Sequence, residues 1–360
     1  MKSKRWLVAA TGGILGLMAV ILVQMGNPPN MGYCIACFLR DIAGGLGFHR
    51  AAPVQYVRPE ILGLVLGAFI ASRFTGEFRA IGGSSPFTRF ALGFWAMIGM
   101  LVFLGCPVRL VLRLAGGDFN AGVGLLGLVA GVIVGVRFLK SGFSLGRAVP
   151  QKSANGYVFT GFVGLVLVLL LALPSLLFFS EKGPGAMHAP LLVSLVFGLI
   201  AGFLAQRSRL CMIGGIRDYI FFRDAHLLYG FAAVFALALA GNLTVGAFKV
   251  GFAGQPVAHV DGLWNFLGMT LAGWASVLLG GCPLRQLVAA AEGNTDSAVT
   301  IAGFVAGAAA AHNFGLAASP AGVPVAGQVA VILGLVIVLI LSFANCPAAV
   351  KGGVAVGKGS

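Results

Sequence analysis

The chain has 360 residues, of which 59% are hydrophobic and only 9% charged. So little charge cannot clothe a soluble surface, which excludes a water-solvated globular domain and implies a chain solvated by lipid. The formal net charge is +14, but lysine and arginine are scattered between apolar runs and form no basic arm or stripe. A nucleic-acid partner is excluded on that ground, and the basic residues read as orientation signals.

In chain order, runs long enough to cross about 30 Å of hydrocarbon fall at 6–25, 59–74, 88–105, 120–139 and 157–179, then at 190–206, 229–247, 263–281, 298–316 and 325–344. Lys2, Lys4 and Arg5 precede the first run with no small-residue cleavage site after it, so it reads as a retained span. With ten spans, one side collects Lys2, Lys4, Arg5, Arg73, Arg79, Arg89, Arg137, Lys140, Arg147, Lys152, Arg207, Arg209, Lys351 and Lys358. Positive-inside asymmetry makes that side, and both termini, cytoplasmic. The segments near 180–189 and 248–262 then face outward. Fifty-five glycines suit close helix approach.

Four stretches, 28–50, 105–119, 207–226 and 280–296, are too short to span yet rich in apolar residues, Gly and Cys. They read as re-entrant segments, tolerated at depth where protein or a watery cavity surrounds them. They also repeat. Cys34 is followed by Arg40-Asp41 as Cys211 is by Arg217-Asp218, and Gly105-Cys106-Pro107-Val108-Arg109 matches Gly281-Cys282-Pro283-Leu284-Arg285. Gly117-Asp118 answers to Gly293-Asn294, and the spaced pair Gly127 and Gly131 to Gly303 and Gly307. An ordered series at one offset implies duplication. Five spans per copy invert the second copy, which places a substrate site near the midplane. The expected architecture is an all-α polytopic membrane protein. It comprises a first inverted repeat at 1–152 (four spans, two re-entrant loops), a fifth span and linker at 153–189, a second repeat at 190–350 and a tail at 351–360.

The chemistry sits in the cysteine motifs. A residue before proline is driven to extended geometry, and proline suits the first helical position. Cys106 and Cys282 therefore read as N-caps of short helices, beside free N–H groups that favour an anion. Arg109 and Arg285 would add full charge, and an arginine within the membrane is a functional candidate by default. A thiol is soft and a weak donor, suited to a sulfur or selenium atom. A neutral thiol would not repel an anionic cargo, and this is the reading preferred here. The opposing reading is space-filling cysteine. Arg40-Asp41 and Arg217-Asp218 either tie down the re-entrant helix or temper the trap for the anion. Cys34 and Cys37 form a Cys-x-x-Cys suited to redox chemistry, but Gly214 occupies the matching place in the second copy. No further Cys-x-x-Cys or His cluster completes a metal site, and no phosphate-binding glycine loop points to ATP, so no metal or other cofactor is expected. Cys346-Pro347 reads as filler. Of the scattered His49, His188, His226, His259 and His312, His49 with Arg50 and Arg58 is placed in an outer vestibule.

The segments Gly26-Asn27-Pro28-Pro29-Asn30-Met31-Gly32-Tyr33-Cys34, Cys37-Phe38-Leu39-Arg40-Asp41-Ile42-Ala43-Gly44 and Phe103-Leu104-Gly105-Cys106-Pro107 resemble the YeeE/YedE family, and its selenium-metabolism branch most of all. The likeness spans roughly residues 6–345. It implies an hourglass-shaped bacterial inner-membrane transporter, not an enzyme, taking up a small sulfur- or selenium-containing anion such as thiosulfate. By motif it implies a relay through weak S–H···S bonds at Cys34, Cys106 and Cys282, with Cys211 in the fourth loop. A TusA-like small cytoplasmic sulfur or selenium carrier is the implied protein partner. The doubled Cys34/Cys37 departs from the thiosulfate-type pattern. It keeps open a membrane thiol or selenol oxidoreductase that uses those two residues.

Overall fold

The computed structural model describes residues 2–346, with side chains from Arg5 onward; Pro347 and the tail with Lys351 and Lys358 lie outside the described residues. Fourteen α-helices follow one another: α1 (Lys2–Gln24), α2 (Ile35–Gly45), α3 (Pro59–Phe74), α4 (Pro86–Phe103), α5 (Pro107–Ala115), α6 (Phe119–Lys140) and α7 (Ser153–Ala172). After them come α8 (Leu191–Ser208), α9 (Met212–Phe222), α10 (Leu228–Thr244), α11 (Gly262–Leu278), α12 (Pro283–Ala291), α13 (Thr295–Asn313) and α14 (Val325–Ala344). Ten are long, and each falls on an expected span. The other four, α2, α5, α9 and α12, occupy the four stretches read as re-entrant.

Eight segments are long and apolar enough to cross a membrane, which makes this an all-α polytopic membrane protein. The other two of the ten long helices, α10 and α13, fall outside that set by length and composition alone. α10 has only 17 residues, and α13 is not among the eight. Both lie against long partners, α10 along α1 and α13 along α4. A helix held by protein on much of its surface needs less apolar character than one facing lipid. α13 accordingly buries Asp296, Ser297 and Thr300. α7 and α14 are the opposite case, exposing Val158, Phe162 and Leu165, or Ile332, Leu333 and Ile340.

Packing contacts come in twos. α3 lies along α8 and α1 along α10; α6 lies along α11 and α4 along α13. α5 touches α10 as α12 touches α3, and α2 touches α13 as α9 touches α6. Exchanging α1–α6 for α8–α13 carries each of these contacts onto another. α7 and α14 do not follow the pattern: α7 lies on α3 and α12, whereas α14 lies on α4 and α11.

The ends of the bundle are distinct. At one, a short strand pair joins Ile81–Gly82 to Val149–Pro150, and Glu77 and Glu292 meet Arg209 at 2.7 Å each. At the other, Lys249 N–H donates to Gly116 O and Gln55 N–H to Ser180 Oγ, gathering the segments 48–55, 178–188 and 248–260.

The spaced glycines act where helices cross. A Cβ at Gly131 on α6 would lie 2.8 Å from Trp274 N of α11, and one at Gly307 on α13 would lie 2.6 Å from Phe94 O of α4. These obstacles are backbone, which cannot swing aside. Gly131→Val is expected to push α6 off α11 and cost about 1–3 kcal/mol or more, read as a lowered melting temperature and loss of the monodisperse peak in detergent.

Candidate functional site

All four motif cysteines are helix N-caps with extended backbone: Cys34 for α2, Cys106 for α5, Cys211 for α9 and Cys282 for α12. Sequence reasoning found two of them, because Pro107 and Pro283 dictate the geometry of the residue before. Cys34 and Cys211 have no proline to announce them. Their sulfurs do the capping directly, accepting from Cys37 N–H at 3.3 Å and Gly214 N–H at 3.2 Å. None of the four is more than 4% exposed.

They meet in pairs. Cys211 Sγ lies 3.6 Å from Cys282 Sγ and also accepts from Cys282 N–H at 3.4 Å. Cys34 and Cys106 are near enough for their thiols to influence one another. The helices that carry the pairs are in contact, α2 with α12 and α5 with α9. Each of the four cysteines thus stands at a helix N-terminus, whose unpaired N–H groups and dipole favour a negative neighbour.

The arginines divide unequally. Arg40 pairs with Asp41 at 2.6 Å, and Asp41 also takes buried Arg58 at 2.8 Å. Arg217 pairs with Asp218 at 2.8 Å and donates to Gly280 O at 3.2 Å. Arg285 pairs with Glu292 at 3.0 Å, and Glu292 also holds Arg209. Among the described residues Arg109 alone of the four candidates has no carboxylate. Its guanidinium donates to the carbonyls of Leu104, Val257 (3.1 Å) and Asn30 (3.3 Å) and to Cys37 Sγ (3.7 Å). Glycine before each Cys-Pro lets the arginine fold back over the loop: a Cβ on Gly105 would lie 3.1 Å from Arg109 Cδ, and one on Gly281 3.0 Å from Arg285 Cβ.

A cavity of about 370 Å³ is lined among others by Arg40, Leu104, Val257, His312 and Pro320. Its floor is made by Leu104 and Val257, both left-handed, at φ 61° and 49°. That conformation is uncommon for a leucine and a true outlier for a β-branched residue, and Arg109 grips both carbonyls. Two left-handed residues of the cavity lining are thus tied through their carbonyls to Arg109.

The vestibule expected from His49, Arg50 and Arg58 is corrected here. Arg58 is fully buried, donating to Asp41, Met187 O and Pro184 O. Arg50 lies over the Phe178 ring at 3.8 Å. His49 stands behind the wall, with Nε2 3.0 Å from Arg40 O. The polar groups at the cavity are instead Arg40 and His312. The His312 ring packs on His49 at 4.7 Å, and its Nε2 has no partner among the described residues. No sequence signal singles out His312, since it comes to the cavity from α13, over 260 residues beyond His49. Cys37 lies beside Cys34 under Arg109, and Cys346 is buried and free.

Residues 207–352 match the family described as sulphur transport. Two curated relatives are each named thiosulfate transporter TsuA. One, from Escherichia coli K12, is 29% identical over 119 residues, covering 32% of this chain and 32% of the relative. The other, from Spirochaeta thermophila, is 32% identical over 103 residues, covering 29% of this chain and 31% of the relative. The matched stretch spans about a third of each relative's length. The helical membrane fold and the cysteine motifs accompany a likeness of residues 207–352 to the sulphur-transport family and of about a third of the chain to these two thiosulfate transporters.

Proposed function

We propose that the chain takes up a small sulfur-containing anion of the thiosulfate class, handing it from Cys34 and Cys106 to Cys282 and Cys211. The observation that carries this reading is the set of four capping cysteines, paired thiol to thiol on helices that touch. Two copies of one repeat, inverted so that each lowers two capped helices toward the midplane, account for the exchanged packing contacts. The divisions at 1–152, 153–189, 190–350 and 351–360 follow from that reading.

Each element has a physical task. N-terminal dipoles and Arg109 offset the anion's charge without water. Neutral, polarizable sulfurs offer weak donors, so no single station holds the cargo long enough to stop flux. Arg109 binds the arriving anion in exchange for the carbonyls of Leu104 and Val257, which relaxes the strained floor. Arg217 and Arg285, already matched by carboxylates, hold the anion less and favour release.

A selenium analogue with the same charge and softness fits the same stations. The membrane is the bacterial inner membrane, with both termini and the Arg209–Glu292 end in the cytoplasm, where a TusA-like carrier would collect the product.

The test is uptake of labelled thiosulfate by the purified chain in proteoliposomes, with sulfite, selenite, selenide and sulfide as competitors. Saturable uptake blocked by soft anions is expected, and a pore would give conductance without saturation. The oxidoreductase reading requires Cys37, whereas the relay does not. Cys37→Ser is therefore expected to keep uptake within about threefold of the parent, a barrier change under 1 kcal/mol; complete loss, with a titratable Cys34–Cys37 disulfide in the parent, would favour redox chemistry.

A further inference from the structure

Glu60, in the first turn of α3, is wholly buried. Its Oε1 accepts from Asn27 Nδ2 at 2.8 Å and from Ser194 Oγ at 3.0 Å, while its Oε2 has no partner among the described residues. Among the described residues no basic group reaches it within ion-pair distance, and Arg58, two residues earlier, is committed to Asp41 and the carbonyls of Met187 and Pro184. A carboxylate here would be a buried anion with one oxygen unanswered, which is costly. A proton on Oε2 would remove that charge while Oε1 goes on accepting both donors. Asn27 Nδ2 also reaches Gly32 O at 3.5 Å, next to Tyr33, whose hydroxyl is buried and without a partner among the described residues. Tyr33 directly precedes Cys34, so the carboxyl adjoins the first thiol loop. α10, which packs on α1 as α3 packs on α8, contains no acidic residue, so this packing arrangement does not itself require the carboxyl.

We propose that Glu60 is the proton-coupling site of this transporter, taking a proton from the outer side and releasing it inside as each anion crosses. This rests on the transport reading above and adds its driving ion. A proton carried inward offsets part of the charge that an inside-negative potential would otherwise hold out. The charged and titratable groups around Glu60 are Tyr33, Tyr56, Arg58, Asp41, Arg40 and His188, the last stacked on Tyr56 at 4.3 Å. α8 contributes only Ser194 at this level; Arg207 of α8 and Arg285 of α12 pair at the Glu77–Glu292 end.

The experiment uses the full chain in proteoliposomes with labelled thiosulfate. A gradient of about one pH unit, acid outside, should support up to about tenfold accumulation at one proton per anion, and thiosulfate added outside should acidify the lumen. Glu60→Gln keeps the shape of the neutral acid, so thiosulfate exchange across the membrane should persist while the response to the gradient disappears. The proposal is overturned if E60Q responds to the gradient as the parent does, or if the parent's uptake neither follows the gradient nor acidifies the lumen. The lumenal measurement needs no variant, so a misfolded E60Q leaves the proposal exposed to it. Absence of thiosulfate exchange in the parent would instead remove the transport reading, and this inference with it.

Discussion

Cys282→Ser is expected to lower thiosulfate uptake about a hundredfold, equivalent to ~2.7 kcal/mol in the barrier, with the protein made and folded as before. Cys106→Ser is expected to match it. Neither thiol makes a side-chain cap bond, and Pro107 and Pro283 set the backbone at the two N-caps, so serine leaves the geometry of α5 and α12 in place. What changes is softness. At 3.6 Å, Cys211 and Cys282 bring two sulfurs together, and a hydroxyl there would offer a hard oxygen to a sulfur cargo. Initial uptake rates in proteoliposomes, normalised to protein inserted, read the effect. Parent-like rates in both variants would end the relay.

Asp41→Asn is expected to destabilise the fold by about 3–5 kcal/mol, the range for breaking a buried ion pair. Asp41 neutralises Arg40 and Arg58 at once, and none of the three is more than 3% exposed. Removing its charge leaves two guanidinium groups facing each other in a dry setting. The matching Asp218→Asn should cost less than about 1 kcal/mol, since Asp218 and Arg217 are 22% and 24% exposed. Melting of both variants in detergent gives the comparison. Equal shifts would show that the outer network is no more than a surface pair.

That contrast marks where sequence symmetry stops being a guide. Arg40-Asp41 and Arg217-Asp218 read identically along the chain, yet Arg58 joins only the first pair, arriving from the start of α3. Arg109 and Arg285 sit at matched places, yet Glu292 captures only Arg285, because Gly116 stands where the second copy has glutamate. Glu60 is a single acidic residue at the start of an apolar run, a pattern that carries no signal by itself. Its lack of a cation depends on how the 180–190 segment occupies Arg58.

What the sequence determined alone were the properties carried by local covalent geometry and by solvent preference. Apolar length demands lipid, proline at the first helical position sets the backbone of Cys106 and Cys282, and spaced glycines mark where helices cross. These need only a few neighbouring residues to be decided. The tertiary structure alone decided which charges are spent and which are left over: Arg109 tied to the cavity lining, His312 at its wall and Glu60 without a cation. Electrostatic pairing depends on distances between residues tens to hundreds of positions apart, and those exist only after the helices have packed.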